Sequence, residues 1–205
     1  MAPSGCGIPG SGEGTSGSQG SGVGSLSLAG SSSEEGGAPV GRICGNRSIQ
    51  GTVIPVVEEG AGCGMADPVQ VSSVAGVALS PPARMTCETA RALNDWISEG
   101  VKPELRRREL RLEAIEVSDD LVCVAADAPG HDQGESIDIS GFRLAGEDAL
   151  IVAQDWQDTE RGALLQSLHQ RACGPFGGTL GPWDGVGASD VLHYDTSPRQ
   201  ALYCR

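Results

Sequence analysis

The spacing of apolar residues predicts two amphipathic helices. Residues 86–100 place apolar side chains three and four positions apart, as on one helix face, with Thr86 as N-cap and Gly100 as the stop. Residues 158–172 show a second such pattern before Gly174. Residues 103–110 predict a short charged helix with proline in its first turn. The predicted apolar faces consist of Ala90, Leu93, Ile97 and Val101 beside Trp96 in the first helix, and of Leu164, Leu165, Leu168 and Ala172 in the second.

Strands are predicted where β-branched residues cluster or where apolar and polar residues alternate. These segments are residues 52–57, 111–117, 121–124, 136–142 and 149–152. A turn at residues 145–148 joins the last two segments as a hairpin-like pair. Helices packed on a small, mainly antiparallel sheet predict an α+β domain.

Composition divides the chain at about residue 39. Residues 1–39 are rich in glycine and serine, and they contain too few apolar side chains to offset the entropy of ordering the backbone. We therefore predict a disordered glycine- and serine-rich linker at 1–39 and one folded domain at 40–205.

Charge and hydropathy exclude two classes of partner. The chain has 14 Lys and Arg against 27 Asp and Glu, which gives a net charge of -13. It lacks the basic surface that neutralises phosphates, so we expect no nucleic acid partner. No apolar run approaches the roughly 18 residues needed to span a bilayer, so we expect no transmembrane segment. The opening MAPSGCGIPG shows no signal-peptide pattern.

The cysteine pattern favours disulfides and an oxidising compartment. Six cysteines are spread through the predicted domain without a CxxC pair, which is a poor pattern for zinc thiolates. Their connectivity is open, but a bond between Cys173 and Cys204 would close a loop of about thirty residues. The alternative is a set of buried free thiols. The six are Cys44, Cys63, Cys87, Cys123, Cys173 and Cys204, whereas Cys6 lies in the predicted linker.

One polar stretch, GHDQGESIDISGF at residues 130–142, contains two candidate metal ligands. Asp138 alternates with two isoleucines in a predicted strand and therefore faces away from them. Gly134 permits a tight backbone path that could bring His131 over the same polar face. A histidine nitrogen and a carboxylate oxygen both suit zinc, at about 2.0–2.2 Å. Two ligands do not hold a metal, so a third is needed.

The third predicted ligand is His193. It lies in SDVLHYD, whose apolar residues favour a short strand that presents the imidazole from a rigid element. Asp190, three residues earlier, is the predicted proton carrier because it is near His193 but separate from the ligands. Asp195 follows His193 by two residues. We expect His169 to face solvent or to cap the second helix. Three ligands with an open position for water form a catalytic zinc site.

These motifs resemble those of known enzymes. HDQGESID is similar to the HxxGxxxD pattern, and DVLH to an acidic residue followed after a two-residue gap by histidine; together these mark zinc D-Ala-D-Ala carboxypeptidases and dipeptidases. Longer blocks resemble the extensin-like C-terminal domain of bacterial secreted proteins over about residues 42–205. The blocks are GCGMADPVQVSSVAGVALSPPARMTCETARALNDWI, IDISGFRLAGEDALIVAQDW, CGPFGGTLGP and the final YCR.

The resemblance implies a D-Ala-D-Ala metallopeptidase-like α+β fold and a zinc site. The implied ligands are His131, Asp138 and His193, with Asp190 as general base. The implied location is periplasmic or extracellular, and the implied substrate is a peptidoglycan peptide or another extracellular peptide. In that reaction zinc polarises the scissile carbonyl and activates water, while the carboxylate passes a proton to the leaving amine.

Three departures from the family pattern bear on substrate recognition. Pro129-Gly130 replaces a polar pair, Val124 stands where an arginine tends to follow Cys123, and the second motif holds a single histidine. Loss of the arginine would remove a bidentate contact to a peptide carboxylate. One alternative is therefore a catalytically impaired, zinc-containing cell-wall binding module. The other is a structural, disulfide-stapled domain in which the first motif is a surface turn.

Overall fold

Strands, many with alternating buried residues, are the most abundant elements of the described chain. A computed structural model describes residues 40–55, 57–58, 64–65, 67–119, 134–182, 190–198 and 201–205. These residues belong to one unit, Gly37–Arg205. The predicted linker at 1–39 and the predicted strand at 121–124 lie outside the described residues.

Most of the described strands belong to one sheet, in the order β1-β2-β5-β6-β7-β8-β11-β10-β12, with β9 beside β8. The separate pair β3 and β4 is antiparallel, as are most neighbours in the large sheet, whereas β6 with β7 and β10 with β12 are parallel. The strands are β1 (Gly41–Arg42), β2 (Ile49–Val53), β3 (Val57–Glu58), β4 (Gly64–Met65), β5 (Val69–Val74), β6 (Val77–Met85), β7 (Leu112–Asp119), β8 (Ser136–Leu144), β9 (Leu150–Ile151), β10 (Gly178–Leu180), β11 (Leu192–Asp195) and β12 (Tyr203–Cys204).

The helical segments are α1 (Cys87–Asp95), a π-helical turn (Trp96–Val101), α2 (Lys102–Arg107), α3 (Val152–Asp155) and α4 (Arg161–Gln170). Thr86 caps α1 as predicted, since its hydroxyl accepts the Thr89 N–H. The predicted stop at Gly100 is wrong, because the chain stays helical through the π turn into α2. A Cβ on Gly100 would lie 3.0 Å from Cβ of Arg171, so glycine serves close packing there.

The hairpin of β5 and β6 was not predicted from the sequence. Ala75 and Gly76 both have positive φ, at 50° and 73°, which suits a tight connection between these strands. Prolines usually interrupt a strand, yet β6 runs through Pro81 and Pro82. Both prolines are exposed and fall where the β5–β6 register shifts, so the ladder needs no N–H from them.

The core lies between the helices and the apolar face of the sheet, which confirms the mixed α+β class. Trp96 of the π turn is fully buried and meets the rings of Phe142, Phe176 and Tyr194 edge-on, with centroids 5.1–6.4 Å apart. Its indole N–H donates to the Leu168 carbonyl at 3.0 Å. Among the described residues, no helix combines the length and hydrophobicity needed to cross a membrane.

Two disulfides are present among the described residues. Cys44 bonds to Cys87 at the start of α1, and Cys173 bonds to Cys204 in β12. The disulfide prediction is therefore confirmed for these four cysteines, including the pair Cys173 and Cys204. Cys6, Cys63 and Cys123 lie outside the described residues.

Exchanging both Cys173 and Cys204 for serine should lower the free energy of unfolding by about 3–4 kcal/mol. The bond spans 31 residues, and closing a loop of that length removes conformational entropy from the unfolded chain. Denaturant titration without reductant measures the loss. The same exchange at Cys44 and Cys87, which span 43 residues, should cost about 4 kcal/mol. An unchanged midpoint for both double variants would contradict the expectation.

Candidate functional site

Strands β8 and β11 bring two of the predicted site residues together. Asp138 and His193 are directly opposed in the antiparallel register, so their side chains share one face of the sheet. His193 Nδ1 donates to Asp138 Oδ1 at 2.7 Å, and each side chain keeps 16% of its surface exposed. The pair is 55 residues apart in sequence, yet its polar atoms converge in a site that is largely withdrawn from solvent but still reachable.

The opposite face of these strands is packed into the core, which fixes the site residues. Burial raises the pKa of Tyr194 well above its usual value, so this neighbour of His193 stays neutral. Because the apolar face of both strands packs into the core, the strands fix the orientation of the side chains on the polar face. The fully buried residues of that face are Ile137, Ile139, Leu192 and Tyr194.

The predicted solvent-facing or capping role of His169 is wrong. His169 is 6% exposed and stacks on Tyr194 at 5.6 Å between ring centroids. Its Nε2 donates to the Arg205 carbonyl, and its Nδ1 lies 3.2 Å from the Tyr194 hydroxyl. The helix pattern alone could not show that the end of the chain and Trp156 cover this position. His169 therefore packs against Tyr194 on the core side of β11, opposite the face that carries His193.

Three threonines hold the backbone at the start of β8. Gly134 has φ of 69°, which agrees with the predicted tight path, and its carbonyl accepts from the Thr89 hydroxyl at 3.0 Å and the Thr86 N–H at 2.9 Å. The Thr196 N–H, just after β11, donates to the Glu135 carbonyl at 2.7 Å. The point where the chain enters β8 is thus tied to both α1 and β11.

Asp195 also belongs to this polar face, although sequence analysis gave it no role. It lies two residues after His193 in β11, and its Oδ2 is 3.8 Å from His193 Nε2. The residue is 2% exposed, and its Oδ1 accepts the Ser197 N–H at 3.2 Å. The two-residue spacing in a strand was the available signal, because such residues share a face. His193 therefore lies between two carboxylates.

The other two predicted site residues are Asp190 and His131. Asp190 is exposed in the turn before β11, three residues from His193. His131 lies outside the described residues, so its role as a ligand stays a prediction. Within the part of the chain that the structure describes, no group of three or more His, Cys, Asp or Glu side chains is arranged to hold a metal ion.

The donor chemistry of the described pair fits zinc. Asp138 offers a carboxylate oxygen and His193 an imidazole nitrogen, the hard-to-borderline donors that zinc binds in proteins. The two donor atoms lie 2.7 Å apart in a hydrogen bond, so loss of the Nδ1 proton and a small separation would let both reach one ion. The described residues thus supply two of the three predicted ligands, and the third depends on His131.

The sequence of the domain identifies its family. Residues 44–205 match the model of the family described as Extensin-like protein C-terminus. The chain belongs to this family. No curated protein and no solved structure matches the chain. Membership of the extensin-like C-terminal family and the two disulfides are compatible with an extracellular or secreted protein.

Proposed function

We propose that this extensin-like C-terminal domain is a zinc-dependent peptidase that acts on cell-wall peptidoglycan peptides in the periplasm or outside the cell. The observation that carries the proposal is the contact between Asp138 and His193 across β8 and β11. Asp138 and His193 belong to two motifs and lie 55 residues apart in sequence. Their carboxylate oxygen and imidazole nitrogen are atoms of the kind that zinc binds. The proposal includes a fold of the D-Ala-D-Ala metallopeptidase type.

In this proposal Asp138, His193 and His131 hold the ion. A bound zinc would polarise the scissile carbonyl and lower the pKa of a bound water to about 7. The strand backbones keep Asp138 and His193 in place, because β11 lies between β8 and β10 and is not an edge strand. The limited exposure of both side chains keeps bulk water away and strengthens their attraction for a cation.

Asp190 is the proposed proton carrier. Its exposed position in the turn before β11 allows its carboxylate to exchange protons with solvent. It would take a proton from the attacking water and pass it to the amine that leaves the cleaved peptide. Because Asp190 lies outside the described pair of ligand atoms, it can change protonation without removing a ligand.

A zinc-containing cell-wall binding module is the second candidate function. Val124 favours it, since it stands where the family tends to carry an arginine that would hold a peptide carboxylate in position for cleavage. Such a module would keep the Asp138 and His193 pair and bind peptide without cleaving it. Peptide binding without any product would favour this candidate over the peptidase.

Metal removal tests the proposal on the whole chain. The purified protein should contain about one zinc per chain, and it should release D-alanine or a shorter fragment from isolated peptidoglycan peptides. Treatment with a chelator should stop release, and added zinc should restore it. Metal analysis and mass spectrometry of the peptides provide the measurements. A chain that binds no zinc, or whose product formation survives complete metal removal, would contradict the proposed mechanism.

A further inference from the structure

The imidazole of His193 has a carboxylate at each of its two nitrogens. Nδ1 donates to Asp138 Oδ1 at 2.7 Å, and Nε2 lies 3.8 Å from Asp195 Oδ2. The three side chains occupy one sheet face, because Asp138 opposes His193 in the register and Asp195 follows His193 by two residues. The two carboxylates differ in surroundings, since Asp138 is partly exposed and Asp195 is buried.

Asp195 is held more firmly than an ordinary surface carboxylate. The Ser197 N–H donates to its Oδ1 at 3.2 Å, which turns Oδ2 toward His193. Its side chain is 3% exposed, and its strand is paired on both sides, with β8 and β10. A buried carboxylate is stabilised by its partners, and the His193 imidazole lies 3.8 Å from it.

Ser136 adds an independent observation on this face. It opposes Asp195 directly in the β8–β11 register and is 1% exposed. Among the described residues its buried hydroxyl has no hydrogen-bond partner. Leaving a buried hydroxyl unpaired costs free energy. This face of the sheet therefore carries a second buried polar residue opposite Asp195.

We propose that Asp195 is a positioning residue that accepts a hydrogen bond from His193 Nε2 and thereby aims Nδ1 at a cation shared with Asp138. This inference rests on the proposed function. Histidine ligands usually bind the metal through one nitrogen and donate the other N–H to a carboxylate or carbonyl, which fixes the tautomer and the ring orientation. Asp138 and Asp195 thus have different tasks: the first is a ligand, and the second orients a ligand.

The position of a ring proton distinguishes the two arrangements of His193. Without a cation, Nδ1 carries a proton, because it donates to a carboxylate that only accepts. An imidazole that binds a cation through Nδ1 keeps its proton on Nε2. The 3.8 Å gap to Asp195 is too long for a hydrogen bond and would shorten once Nε2 carries that proton.

Zinc affinity and the tautomer of His193 together test the role of Asp195. Zinc titration in competition with a coloured chelator gives the affinity, and nitrogen NMR of histidine-labelled protein identifies the ring nitrogen that carries the proton. We expect the zinc-bound wild type to carry it on Nε2. Asp195→Ala should weaken zinc binding about 10- to 100-fold, and Asp195→Asn, which keeps a neutral acceptor, should weaken it less. Asp67→Asn, at an exposed residue, is the control for the lost charge.

Each alternative outcome has a separate meaning. Equal zinc affinity in all three variants overturns the positioning role and leaves the proposed function intact. Complete loss of zinc from both Asp195 variants, with the proton on Nδ1 in the wild type, makes Asp195 a ligand and also overturns it. Failure of the wild type to bind zinc overturns the proposed function, and this inference with it. The tautomer measurement needs no substitution, so an unstable variant does not prevent the test.

Discussion

His193→Ala should abolish zinc binding and, with it, peptide release. The substitution removes the imidazole that the described residues place against Asp138, and it leaves Asp138 and the predicted ligand His131. A zinc site with three protein ligands that loses one of them no longer holds the ion firmly. Metal content after gel filtration and equilibrium titration with zinc measure the effect.

Ser140→Ala is the matched control for His193→Ala. Ser140 lies on the same strand face, two residues from Asp138, and its hydroxyl donates to the Glu116 carbonyl at 3.3 Å rather than to a site residue. Zinc content should stay at the wild-type level in this variant. Thermal unfolding of both metal-free variants should show that each one folds. If the folded His193→Ala variant retained zinc, the ion would bind at another site.

Asp190→Asn should lower the rate of peptide release about 100- to 10,000-fold while zinc content stays unchanged. An asparagine has nearly the same shape but cannot take up the proton that a general base must accept. The exposed position of Asp190 also predicts little effect on folding, because few contacts are lost. Rate measurements on peptidoglycan peptides at matched zinc occupancy separate this effect from metal loss.

Asp148→Asn is the matched control for Asp190→Asn. Asp148 is an exposed residue in the connection between β8 and β9, so its exchange removes one negative charge without touching β11. Its activity should match that of the wild type. Equal release by Asp190→Asn and wild type would remove Asp190 from the mechanism, and Asp195 would then be the next carboxylate to examine.

Local sequence pattern was sufficient to predict the two strands that carry the site. Alternation placed Asp138 opposite the isoleucines, and the apolar residues around His193 favoured a strand, as the structure has it. Neither pattern predicts the register of β8 against β11. In that register Asp138 lies directly opposite His193, and a shift of one residue would put the two side chains on opposite faces of the sheet. The meeting of the two residues was therefore an expectation from ligand chemistry and motif resemblance, and the pairing of β8 with β11 supplies its physical basis.

Tertiary context explains what local pattern could not predict. His169 has a helical neighbourhood typical of a surface residue, but β12 and Arg205 fold back over it. Pro81 and Pro82 normally interrupt a strand, but here they fall at a bulge in β6. The burial of Asp195 and the hydrogen bond that it accepts from the Ser197 N–H could not be predicted from the sequence. Each of these features depends on residues distant in sequence or on backbone groups, and a pattern of side chains shows neither.

The place of β11 in the sheet has a consequence for biosynthesis. Its partners β8 and β10 are both made earlier, so a growing polypeptide contains Asp138 long before His193 leaves the ribosome. The Cys173–Cys204 bond requires the last residues as well. A nascent chain that ends before residue 193 lacks the contact between Asp138 and His193, so this pair can form only after nearly all of the domain has been made.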